Sequence, residues 1–224
     1  MNIAILIASE NYADPDEKLT SPGKDIELLE NSLKEYCKYD KYIPLLIEDG
    51  KPHAGAEQQI KDIFNGLAGE DIENILFYFS GHGRYDEDEN DSLLLLNDVE
   101  TLAITKIAGW IINLSPQNTC IIIDACEAGD DTIIEYDGFT DDNSLGFFGI
   151  FASTPTTYAI AYPDISLFTY AFCNALDDYS NYTNNEVSII KYTSIYIKYS
   201  ARTAYHSDQY ADSPERCTSV CFLA

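Results

Sequence analysis

The sequence predicts an α/β fold: one mostly parallel sheet covered by helices on both faces. Three observations predict it. Short apolar runs rich in isoleucine recur along the chain, as buried strands do. Between them lie stretches whose apolar residues return at helical spacing. Two of the apolar runs end in a polar residue with glycine close behind, the form of a site-bearing strand at the C-terminal edge of an open sheet.

Taken in order, residues 3–8 (Ile-Ala-Ile-Leu-Ile-Ala) are the first predicted strand. The run is short, lacks a cationic lead and meets Glu10 at once, so it is not a signal peptide. Residues 11–23 read as a loop, with Asp14-Pro15 and Ser21-Pro22-Gly23 as turn chemistry. Ile26, Leu29, Leu33, Tyr36 and Cys37 then share one helical face. Residues 42–47 are a second strand. Pro44 within it cannot donate to a ladder, which places that strand at a sheet edge. Ile60, Ile63, Phe64 and Leu67 make a second helical stripe, closed by Gly69. A strand over 74–79 follows, then a polar run over 84–91, and a hairpin arm over 93–96.

Ile104, Ile107, Ala108 and Ile111 mark a third helix before the strand that opens at Cys120. Residues 130–146 are acidic and without periodicity, the signature of a long mobile loop. Residues 147–152 read as a strand and 166–178 as a helix through Leu167, Tyr170, Ala171 and Asn174. Residues 186–199 have the composition of a strand but sit where a crossover helix belongs; we take them as helix. A loop over 202–217 and a short strand over 218–223 close the chain. No repeat and no linker divides it, so residues 1–224 are expected to form one domain.

Composition narrows the function. The 224 residues, 46 % of them hydrophobic, can bury a sizeable core and are too apolar for disorder throughout. Six cysteines show neither zinc-site spacing nor the density of a small disulfide framework, which favours a reducing cytoplasm. A formal charge of −25 repels nucleic acid and anionic membrane and favours cationic peptides, and no run is long enough to span a bilayer. No Gly-x-Gly-x-x-Gly or Gly-Lys-Ser/Thr loop is present, which argues against a nucleotide-binding module.

The chemistry lies at the two glycine-flanked strand ends. Residues 74–79 (Asn-Ile-Leu-Phe-Tyr-Phe) run into Ser80-Gly81-His82-Gly83. Residues 120–129 read Cys-Ile-Ile-Ile-Asp-Ala-Cys-Glu-Ala-Gly. One strand thus delivers His82 and another Cys126. A thiol is only a few per cent ionised at neutral pH and needs a base beside it. Free cysteines are ordinarily small buried hydrophobes, and Cys37, Cys120, Cys173, Cys217 and Cys221 are read that way. His53 and His206 have no comparable context.

The motif pair resembles the two signatures of caspase-like cysteine peptidases, and most closely the metacaspase and bacterial caspase-homologue branch, which carries Asp two positions before the Cys. His82 lies 44 residues upstream of Cys126, near the roughly 50 of caspases. The resemblance extends over nearly the whole chain, including Ser-Leu-Phe-Thr-Tyr-Ala at 166–171, where relatives often have Gly in place of Ser166. It implies a three-layer sandwich with a sheet of about six strands, and a bacterial defence or cell-death role. It also implies Cys126 as nucleophile, His82 as base, and the Gly83 and Cys126 amides as oxyanion donors. Asp25, Ser80 and Asp124 match positions of a pocket for an Arg or Lys side chain.

Asp25 and two acidic clusters carry a second reading. Asp25 is also a helix-start acid, and Lys24, where the family usually has Asn, could pair with it. The acidic clusters at 86–91 and 130–142 could bind calcium, as in some metacaspases, but lack the alternating spacing of a calcium loop and read better as solvated loops. No other cofactor or metal is implied. The expected partners are a protein or peptide substrate and a regulatory partner or fused sensor domain. The rival expectation is an inactive caspase-like scaffold that binds partner proteins.

Overall fold

The computed structural model describes residues 1–10, 12–14, 16–48, 55–129, 147–153, 158–159, 161–162, 164–183 and 221–223. The main sheet contains β1 (Asn2–Ser9), β2 (Lys41–Ile47), β3 (Asn74–Ser80), β7 (Asn118–Asp124), β8 (Phe147–Phe151) and β11 (Cys221–Leu223). Its order is β11-β8-β7-β3-β1-β2. Five of the six strands are parallel, and β11 runs antiparallel to β8. β2 is the edge strand that Pro44 requires, since its one neighbour is β1.

The strands are apolar on both faces because helices cover both. Ile3, Ile5 and Ile7 of β1 join Phe77, Phe79, Ile121 and Ile123 on one face. That face packs on Ile60 and Phe64 of α2 (Ala56–Asn65) and on Ile104, Ile107 and Ile111 of α3 (Ile104–Leu114). The alternate residues Ala4, Leu6, Leu76, Tyr78 and Ile122 form the other core. It is closed by Leu29 and Leu33 of α1 (Pro22–Tyr36) and by Phe168, Phe172 and Leu176 of α4 (Leu167–Thr183). A one-residue slip would exchange the two sets and misplace every site residue at the strand ends.

A second, antiparallel sheet stands after β3: β4 (His82–Asp86), β5 (Asp91–Leu95) and β6 (Thr101–Ala103). The polar run expected over 84–91 is therefore in part a strand. β4 gains its ladder from β5, with Gly83 opposite Leu94, and its polar side chains meet solvent without breaking that pairing. Strands of two or three residues, β6 and the hairpin β9 (Ala161–Tyr162) with β10 (Ile165–Ser166), are too short to leave a period-two signal. α4 begins at Leu167, one residue later than expected, because Ser166 closes β10. The predicted loops at 130–146 and 202–217 and the helix at 186–199 lie outside the described residues.

Candidate active site

β3 and β7 are neighbours, and Ser80 stands in register with Asp124. Both predicted motifs therefore leave the sheet side by side. The Gly81 amide donates to the Asp124 carbonyl at 3.3 Å, tying the two exits together. Gly81 has no room for a side chain: a Cβ there would lie 2.8 Å from the Phe79 ring and 3.0 Å from the Tyr12 hydroxyl.

His82 opens β4 half-buried. Its Nε2 lies 2.6 Å from the Glu17 carbonyl. A carbonyl only accepts, so Nε2 carries the proton there, and Nδ1 of the neutral ring is left as the acceptor. Tyr12 holds the same residue twice. Its hydroxyl accepts the His82 amide at 3.0 Å and donates to the Leu95 carbonyl at 2.8 Å. Its ring meets the imidazole edge-on, with centroids 4.5 Å apart. Tyr12 is buried, and burial, the largest cause, pushes its hydroxyl up to about 12, so it stays a neutral donor. Neither Tyr12 nor the Glu17 carbonyl was legible beforehand. A buried tyrosine needs a hydroxyl partner, but nothing in residues 11–23 names which.

Cys126 follows β7 in a tight turn, half-buried, with Sγ 3.9 Å from the Ala159 carbonyl. Burial pushes its thiol above the ordinary range, and the Asp124 and Glu127 charges add to that, against a lowering by the Ala159 carbonyl. The resting group is a neutral thiol in need of a base. Among the described residues no hydrogen bond joins it to the His82 ring; such bonds often tighten only when substrate is bound. The backbones do meet. A Cβ on Gly83 would fall 2.5 Å from the Cys126 carbonyl oxygen and 3.0 Å from Ala125 Cβ, so only glycine lets the His82 strand lie on the Cys126 turn.

The turn is braced on its other side. Ser153, fully buried, donates to the Ala125 carbonyl at 2.7 Å and accepts the Ala128 amide at 3.2 Å. Glu127 is left-handed, with φ of 51°. The other non-glycine residues with positive φ among those described are Asn90 and Ser115, both short and polar. For a long side chain that conformation costs roughly 1–2 kcal/mol.

The acidic positions converge. Asp25, in the first turn of α1, is fully buried, so it is not the surface acid that a helix start would allow. Lys24 does not pair with it but with Asp164 in the β9–β10 turn. Asp25 accepts Ser80 Oγ at 2.8 Å and the Ser166 amide at 2.8 Å. Asp124, also buried, accepts Thr169 Oγ1 at 2.6 Å and the Ser166 hydroxyl. Ser166 thus bridges the two carboxylates. Burial and the Asp124 charge raise the Asp25 carboxyl, and burial raises Asp124 against its hydrogen bonds from Ser166 and Thr169. Ser166 and Thr169 as ligands of the pair are invisible to local reading, because they lie more than 40 residues from Asp124.

The acidic run at 86–91 forms the β4–β5 turn. The Asp86 carboxylate accepts the Asp88 and Glu89 amides of the same turn, and the buried Asp91 accepts the Thr105 hydroxyl. Among the described residues no group of three or more His, Cys, Asp or Glu could hold a metal ion. The second acidic cluster, at 130–142, lies outside them.

A parallel sheet under two helical layers, with His and Cys at adjacent strand exits, defines the caspase-like class of α/β protein. The caspase-domain family model matches residues 1–219, and the chain belongs to that family of cysteine peptidases. No curated protein matches the chain. Among the described residues no helix is long and apolar enough to cross a membrane.

Proposed function

We propose that this member is an active cysteine endopeptidase of the metacaspase branch that cuts proteins or peptides after Arg or Lys. His82 Nδ1 takes the Cys126 proton, and the thiolate attacks the scissile carbonyl carbon. The oxyanion is held by the Gly83 and Cys126 amides, and His82 returns the proton to the leaving amine. Water then hydrolyses the thioester. The observation that supports this reading is the close approach of the Gly83 backbone, one residue after His82, to the Cys126 carbonyl.

Specificity follows from charge. Asp25 and Asp124 share one buried polar nest with Ser80, and a cationic side chain entering it would relieve the repulsion between two acids. Cleavage of a library varied at the residue before the scissile bond, with labelling of Cys126 by a basic chloromethyl ketone, tests both claims. Preference for Asp at that position would overturn the specificity. A protein that neither cuts nor labels would be the partner-binding scaffold instead.

Control is proposed to come from a regulatory partner, a fused sensor domain or an ion such as calcium, in a bacterial defence or cell-death setting in the cytoplasm. Self-cleavage within the loop over 130–146 is disfavoured because no Lys or Arg occurs between Lys106 and Lys191. Mass spectrometry of incubated active protein should find no new terminus within 130–146. Activity that depends on such a cut would defeat both the specificity and the mode of control.

A further inference from the structure

The geometry points to Glu127 as a positioning residue that clamps the Cys126 turn to the strand bearing His82. The inference rests on the dyad assigned above and extends it to the residue that sets the dyad's spacing. Three contacts carry it. The Glu127 carboxylate accepts the Tyr85 amide at 3.2 Å, and Tyr85 is three residues beyond His82 on β4. The Glu127 carbonyl accepts Ser92 Oγ at 3.2 Å, and Ser92 lies on β5 opposite Tyr85. The carbonyl of Cys126 itself rests on Gly83.

Glu127 holds a left-handed φ of 51°, which a glutamate adopts only when its surroundings impose it. Here the surroundings are those two hydrogen bonds, one at each end of the residue. In that conformation the carboxylate reaches back to β4 while the chain turns away toward Ala128, whose amide Ser153 holds. Ser153 fixes the turn to the sheet, and Glu127 fixes it to β4. The distance between thiol and imidazole is then set by two braces rather than by a direct bond. Burial holds the thiol protonated at rest, and the charges of Asp124 and of this same carboxylate add to it, so thiolate forms only when His82 takes the proton.

The test uses the full chain with Glu127→Gln, Glu127→Ala and Glu127→Gly, and His82→Ala as reference. Two quantities are read: kcat and KM on a basic-residue reporter peptide, and the pH profile of Cys126 alkylation by iodoacetamide, located by mass spectrometry. The wild type should show an inflection that His82→Ala removes. Glu127→Gln keeps an acceptor for the Tyr85 amide, so it should keep kcat and that inflection, moved to lower pH by loss of the adjacent charge. Glu127→Ala and Glu127→Gly should lose kcat by about 10²-fold with KM unchanged, and lose the inflection.

Glu127→Gly, relieved of the strained φ, should melt no lower than Glu127→Ala, so instability cannot account for its loss; it also stands in should Glu127→Ala fail to fold. Retention of kcat and the inflection in Glu127→Gly, or a Glu127→Gln as impaired as Glu127→Ala, would overturn the clamp. A wild type without any His82-dependent inflection would overturn the dyad itself and the role of Glu127 with it.

Discussion

The three central strands β1, β3 and β7 end very differently at their two edges. At their starts, Asn2, Asn74 and Asn118 stand in register. Asn118 Nδ2 donates to Asn74 Oδ1 at 2.9 Å, Asn74 Nδ2 to Asn2 Oδ1 at 2.6 Å, and Asn2 Nδ2 to the Lys38 carbonyl at 3.3 Å. At their finishes, Ala8, Ser80 and Asp124 stand in register, with Asp25 bonded to Ser80. The three asparagine side chains at the first edge are neutral, and each has a partner. The second buries two acids of like charge, both held above the ordinary carboxylate range. A ladder of amides stabilises pairing and register; a crowded acid pair opposes folding and persists where a function selects it.

The largest effects should come from the finishing edge. Cys126→Ala should reduce peptide cleavage to background, and His82→Ala should lower kcat by about 10²–10⁴-fold. Both should melt like the wild type, since neither side chain lies in the core. Wild-type turnover by Cys126→Ala would remove the mechanism.

Next in size, Asp124→Ala should weaken cleavage after Arg or Lys by on the order of 2–5 kcal/mol of transition-state stabilisation, much of it the loss of a partner for a buried cation. Equal losses on a reporter with a neutral residue before the scissile bond would show the change to be structural.

The acid pair also predicts a pH dependence of stability. A carboxyl raised on folding contributes stability that is fully present below its unfolded value, near 3.8 for Asp, and is lost as pH rises through the folded value. The double variant Asp25→Asn with Asp124→Asn should therefore gain on the wild type as pH rises from 4 into the neutral range. Melting curves that keep a constant gap across that window would mean that the two acids are not buried as described. Cleavage of basic substrates should change oppositely, rising with pH as the pair ionises.

The smallest effect belongs to the starting edge. Asn74→Ala breaks the middle of the amide ladder and should cost about 1 kcal/mol of stability in urea unfolding, with kcat and KM unchanged. A loss of activity at equal stability would show that the two edges are coupled and would undo the contrast drawn between them.

The unbroken apolar run over 3–8 and the helical stripes of α1 to α3 were enough to read the layers, because a strand covered on both faces is apolar throughout and burial on a helix face repeats over a few residues. Pro44 placed its own strand at the edge through the donor it lacks. Glycine beside His82 and Cys126 marked the two strand exits. The partners of those residues could not be read so. Ser166 reaches Asp25 across 141 residues, Glu127 reaches Tyr85 across 42, and Tyr12 reaches His82 across 70. Hydrogen bonding across such separations depends on how crossovers stack strand ends, and no local periodicity records it. The sequence by itself determined the layers and singled out the two side chains proposed to react. Tertiary packing alone decided that Asp25 is buried rather than exposed, that Ser166 bridges two acids, and that Glu127 is held left-handed, because each depends on the surface another element presents to it.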